Sequence, residues 1–128
     1  MSRICDVAVI GAGPAGIFAS LELRNAGLDV LLLDEGREID ARICPVQDRS
    51  EPCALCSPCH LVSGFGGAGA FSDGKLTLST QVGGRLEELV GSDQARALID
   101  YVDAIYIKFG APPKVYGIGR NTARLERE

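Results

Sequence analysis

An α/β fold with a parallel sheet is what this sequence predicts, and three observations carry the prediction. Val7-Ala-Val-Ile10 is a short apolar run of β-branched and small residues, the pattern of a buried strand. A glycine-studded turn, Gly11-Ala-Gly-Pro-Ala-Gly16, follows it and leads into residues that favour a helix. A second apolar run, Leu28 to Leu33, then ends on the acid Asp34. A right-handed crossover makes the two strands parallel neighbours, so residues 4–36 read as one βαβ unit.

Each part of that unit has a physical reason. Pro14 suits the first turn of a helix, where its missing N–H costs little. Ile17 to Leu23 continues the helix, and Asn25-Ala-Gly27 ends it. Gly11, Gly13 and Gly16 spell G-x-G-x-x-G. The first allows a tight turn, the second lets backbone approach a pyrophosphate, and the third lets helix and strand pack closely. Free N–H groups and partial positive charge at the helix N-terminus suit a diphosphate. Asp34 follows about 20 residues on, where a carboxylate accepts hydrogen bonds from a ribose hydroxyl and disfavours the 2′-phosphate of NADP. Together these features predict a Rossmann-like dinucleotide site, with Gly11, Ala12, Gly13, Pro14, Ala15, Gly16 and Asp34 lining it.

Residues 37–62 are polar, interrupted by Pro45, Pro52 and Pro58, and carry four cysteines. They read as an irregular excursion of functional length. Gly64-Phe-Gly-Gly-Ala-Gly-Ala-Phe-Ser-Asp-Gly-Lys75 follows, backbone that can lie flat against a ligand with several N–H groups converging. It lacks the Walker spacing. Leu76 to Gln81 partly alternates, as a short strand would, and Gly83 to Gly91 holds a turn or two of helix. Ser92 reads as an N-cap with Asp93 well placed for the helix dipole. Over residues 92–109, Ala95, Leu98, Ile99, Val102, Ile105, Tyr106 and Phe109 share one helical face, a packing pattern. Gly110 and Pro112-Pro113 stop the helix. Val115 to Gly119 reads as extended and 120–128 as a polar tail. With no linker or repeat, residues 1–128 read as part of one domain.

Cys44, Cys53, Cys56 and Cys59 form a second constellation. The C-x2-C-x2-C run is like the first three ligands of a ferredoxin-type iron–sulfur cluster, and four thiolates also suit zinc. A redox-active thiol pair and plain reduced thiols are the alternatives. His60 is a ligand, a proton donor or a loop residue; Cys5 is a small core residue; Asp73 and Lys75 touch a cofactor or form a turn. No Ser-His-Asp, H-E-x-x-H or paired-carboxylate pattern supports hydrolysis. A net charge of −4 argues against nucleic acid as a partner, and the apolar runs are too short to span a bilayer. The opening residues have no signal-peptide core, so the expected compartment is the cytosol.

Two features tilt the dinucleotide toward FAD: the fingerprint's N-terminal position and Glu35-Gly36-Arg37 after the acid. Val7–Gly16 with Leu31–Arg37 resembles the N-terminal FAD-binding unit of flavoproteins with two dinucleotide-binding domains. Arg42 matches an arginine that often follows the acid there, with Asp40-Ala41 where a Gly-Gly pair usually stands. Cys44-Pro45, Cys53-x-x-Cys56-x-x-Cys59 and the string Gly66-Gly-Ala-Gly-Ala-Phe-Ser-Asp-Gly-Lys75 resemble a narrower group of uncharacterised FAD-dependent dehydrogenases. The resemblance implies an FAD-dependent oxidoreductase, with Glu35, Gly36, Arg42, Gly66, Gly67, Ala68, Gly69 and Ser72 also near the cofactor. It further implies a small-molecule substrate and NAD(P)H as an electron donor. Members of that group are several times longer, so these 128 residues are expected to be an N-terminal portion. The competing readings are a non-catalytic dinucleotide-binding fragment and a cysteine-ligated metal or electron-transfer subunit.

Overall fold

The computed structural model describes residues 4–46 and 50–115. They divide into two units, one ending at Lys75 and the other starting at Leu76.

The first unit is built on β1 (Val7–Ile10), α1 (Pro14–Asn25) and β2 (Val30–Leu33). The strands pair in parallel, with Val7 opposite Val30 and Ile10 opposite Leu33. The Asp29 N–H donates to Asp6 Oδ2 at 2.7 Å and the Asp6 N–H to the Asp29 carbonyl at 2.9 Å, which fixes the register below the first pair. Period-2 alternation turns Val7, Val9, Val30 and Leu32 to the better-covered side, and Ala8, Ile10, Leu31 and Leu33 to solvent. Helix α1 packs against both strands. It ends in a Schellman motif: Leu28 N–H reaches the Leu23 carbonyl, Gly27 N–H reaches that of Arg24, and Gly27 takes the left-handed φ of 89°.

Between β2 and Gly64 the described residues are irregular, as the prolines predict, apart from a 3-10 turn at Ile39–Ala41. The glycine-rich stretch does not lie flat. Gly66 turns it with φ 85°, and Gly67–Phe71 coil as a 3-10 helix.

In the second unit α2 (Leu86–Val90) and α3 (Ser92–Lys108) pack together. The expected strand at Leu76–Gln81 is absent; the Leu78 carbonyl instead accepts from Arg96 Nη1 at 3.2 Å. Ser92 is the first helical residue rather than the cap. Gly91, with φ 84°, occupies the cap position, and the Ser92 hydroxyl donates to the Glu87 carboxylate. That bond and one from Thr80 lower the Glu87 pKa. Helix α3 also ends in a Schellman motif, with Ala111 N–H on the Tyr106 carbonyl and Gly110 N–H on that of Ile107. Of its apolar face, Ala95 is buried while Leu98 and Phe109 stay exposed. No helix among the described residues is long and apolar enough to cross a membrane. Apart from Val115, the segments expected as extended (115–119) and as a polar tail lie outside the described residues.

Candidate functional site

Two glycine segments meet where β1 runs into α1. Gly11 takes φ 101°, and its N–H donates to the Leu33 carbonyl at 2.7 Å, so the turn begins hydrogen-bonded to the end of β2. A Cβ on Gly16 would lie 1.8 Å from the Gly11 carbonyl oxygen and 3.5 Å from Val9 Cγ1. Only glycine permits this closeness of helix and strand. Gly13 sits at the N-cap of α1, which has no side-chain cap bond and no acidic residue in its first turn. A Cβ on Gly13 would meet nothing within 4 Å. Open space and unspent helix N–H groups therefore coincide, the combination a diphosphate needs.

The second segment lies directly against the first. Gly66 N–H donates to the Ala12 carbonyl at 2.8 Å. A Cβ on Gly67 would come within 3.1 Å of Gly13 Cα, and one on Gly69 within 3.5 Å of Pro14 Cγ. Ala12 is fully buried between them. Gly36 is equally constrained: a Cβ there would strike the Gly64 nitrogen at 2.1 Å.

Asp34 ties these pieces together. Ala12 N–H donates to its Oδ2 at 2.7 Å, and Gly36 N–H to its Oδ1 at 2.8 Å. These two donors, with Gly64 N–H and the Arg42 charge, hold the Asp34 carboxyl below the usual carboxylate value. The carboxylate stays ionised and keeps lone pairs for a hydroxyl donor. Glu35 is exposed next to it in sequence, and Ala15 is exposed in the first turn of α1.

Arg42 turns its guanidinium onto the backbone. It is 2% exposed, and its guanidinium donates to four backbone carbonyls: His60 at 3.1 Å, Phe65 at 2.7 Å, Leu61 at 2.6 Å and Gly67 at 2.8 Å. It also lies 4.8 Å from the centroid of the Phe71 ring. Ser72 ends the 3-10 helix and accepts from Gly74 N–H at 3.1 Å. Asp73 and Lys75 bond each other in an exposed turn.

The four cysteines do not assemble. Among the described residues no group of three or more His, Cys, Asp or Glu side chains is arranged to hold a metal. Cys44, Cys53, Cys56 and Cys59 are free thiols with local surroundings. Leu55 N–H faces Cys53 Sγ at 3.5 Å, and Leu55 itself takes a left-handed φ of 51°. The N–H groups of Leu61 and Val62 point at the Cys59 sulfur and lower its pKa, with Arg42 adding to the effect. His60 Nδ1 donates to the Ile43 carbonyl at 2.7 Å, which makes it a loop brace.

Comparison with known proteins bears on the first unit. Residues 4–42 match the FAD binding domain family. This FAD-binding match spans the βαβ unit and ends on Arg42. The chain is 44% identical over 69 residues to an uncharacterized protein of Clostridium beijerinckii, covering 54% of this chain and 13% of that protein. It is 54% identical over 39 residues to the digeranylgeranylglycerophospholipid reductase of Methanosarcina acetivorans, 30% of this chain and 10% of the reductase. Over 55 residues it is 42% identical to a heterodisulfide reductase A-like protein of Archaeoglobus profundus, 43% of this chain and 8% of that protein. The matches thus cover about a tenth of the length of these relatives. No solved structure matches the chain.

Proposed function

We propose that this chain is the nucleotide-binding portion of a cytoplasmic FAD-dependent oxidoreductase with a Rossmann-like fold. The observation that carries the reading is the coincidence of an open, uncapped α1 N-terminus with an ionised Asp34 at the end of β2, inside the segment that matches an FAD binding domain. The Gly11–Gly16 turn would hold the diphosphate through the backbone N–H groups of Gly13, Ala15 and Gly16, those of Gly11 and Ala12 being engaged by Leu33 and Asp34. Asp34, flanked by Glu35 and Gly36, would accept from the adenosine ribose. Gly66, Gly67, Ala68, Gly69 and Ser72 would run beside the cofactor, since their segment abuts Gly13 and Pro14. When bound, the flavin supplies the redox chemistry, and the chain binds, orients and shields it. A small-molecule substrate and NAD(P)H as electron donor complete the proposal.

A second reading, nucleotide binding without catalysis, is favoured by one observation. Ile10 is 77% exposed on the sheet face away from α1, although parallel sheets are ordinarily covered on both faces. Reconstitution separates the readings. FAD at 100-fold excess over its dissociation constant adds about 2.7 kcal/mol of stability. One tightly held FAD per chain, reduced by NAD(P)H, supports the oxidoreductase. FAD held but never reduced supports the binding module. No rise in melting temperature with FAD refutes both.

A further inference from the structure

We propose that Arg42 is a positioning residue: its guanidinium fixes segment 60–67 as the rigid wall of the nucleotide crevice, acting through peptide carbonyls and not on the nucleotide. The proposal takes only its ligand, FAD, from the reading above.

A guanidinium has five N–H donors in a rigid plane and never deprotonates in a protein. Burial of such a charge is costly unless its donors are satisfied. Here four backbone carbonyls converge on it, from His60, Leu61, Phe65 and Gly67, and the Phe71 ring flanks it. Peptide units are planar and trans, so each captured carbonyl turns the next residue's N–H the opposite way. One side chain therefore sets four peptide planes. Their other ends account for the rest of the wall. Leu61 and Val62 N–H meet the Cys59 sulfur, and Gly66 N–H meets the Ala12 carbonyl in the glycine turn. The fourth, Ala68 N–H, opens the 3-10 helix at the contact with Gly13 and Pro14. Gly64 is part of the same device, because a Cβ there would lie 2.9 Å from Arg42 Cδ. A lysine keeps the charge but presents a single nitrogen, which cannot span four carbonyls.

The experiment combines amide hydrogen exchange on the whole chain without flavin with FAD titration of wild type, Arg42→Lys and Arg42→Gln. The proposal expects Leu61, Val62 and Gly66 to be protected in wild type. In both variants that protection falls at least tenfold while Val7–Leu33 keep theirs, and FAD binds at least tenfold more weakly. Unprotected Leu61, Val62 and Gly66 in wild type would overturn it without any variant. So would an Arg42→Lys chain with wild-type exchange or wild-type FAD affinity, the latter marking Arg42 as a charge on the ligand. If wild type takes up no FAD, the functional reading falls by itself, and exchange alone decides the role of Arg42.

Discussion

Gly16 carries the tightest single-residue constraint in the first unit. Its missing Cβ is what lets the Gly11 carbonyl oxygen approach α1, and an added methyl would sit 1.8 Å from that atom. Both partners are backbone, so no side-chain rotation relieves the clash. Gly16→Ala is expected to destabilise the unit by about 3 kcal/mol, the upper range for overpacking, measured by denaturant unfolding. Asp34 makes a pH-dependent contribution of definite sign. Its folded pKa is depressed, so the stabilisation is complete above its ordinary value of 3.8 and is lost as pH falls through the lower folded value. Wild type should therefore exceed Asp34→Asn in unfolding midpoint at about pH 6, and the gap should close toward about pH 2. A gap that is constant across that range would show that the carboxylate charge is idle. The close packing at Gly16 and the place of Asp34 at the end of β2 were legible in the sequence, because a local pattern dictates each. Arg42 was not, since any residue has a carbonyl and a clamp on four of them leaves no motif. Cysteine spacing names candidate ligands but does not by itself bring them together, and among the described residues no group of three or more His, Cys, Asp or Glu side chains is arranged to hold a metal.

Strand β1, helix α1 and strand β2 follow the apolar runs and the glycine stops closely, and α3 ends at the glycine the sequence marks. The departures lie where an element depends on a distant partner. Leu76–Gln81 alternates like a strand, but alternation without a partner strand leaves its backbone groups unpaired. Ser92 has the chemistry of a cap, yet Gly91 reaches the required geometry first and frees the serine for Glu87. The glycine-rich segment coils instead of lying flat, because Gly66 at φ 85° starts a turn that Arg42 then holds. The contact between Gly36 and the backbone of Ser63 and Gly64 joins that segment to β2. Gly36→Ala is expected to push residues 63–64 away and to weaken FAD binding at least tenfold, while β1–α1–β2 keeps its far-ultraviolet circular dichroism. Unchanged affinity would separate the second glycine segment from the site.

At the scale of the molecule, the described residues bury little apolar side chain: Ala12 and Ala95 are the buried apolar residues among them, while Ile10, Leu89 and Phe109 are largely exposed. Nothing resembling a linker announces the division after Lys75, so the second unit was invisible in composition alone. The candidate site depends only on the first unit, which is also where the FAD binding domain matches. Everything proposed for that site requires an adenine dinucleotide to seat on the Gly11–Gly16 turn with its ribose at Asp34. Amide chemical-shift mapping during FAD titration tests this most directly. The predicted result is saturable shifts concentrated at Gly11 to Ile17 and Asp34 to Gly36, lost in Gly13→Val; shifts elsewhere, or none at saturating FAD, would contradict it.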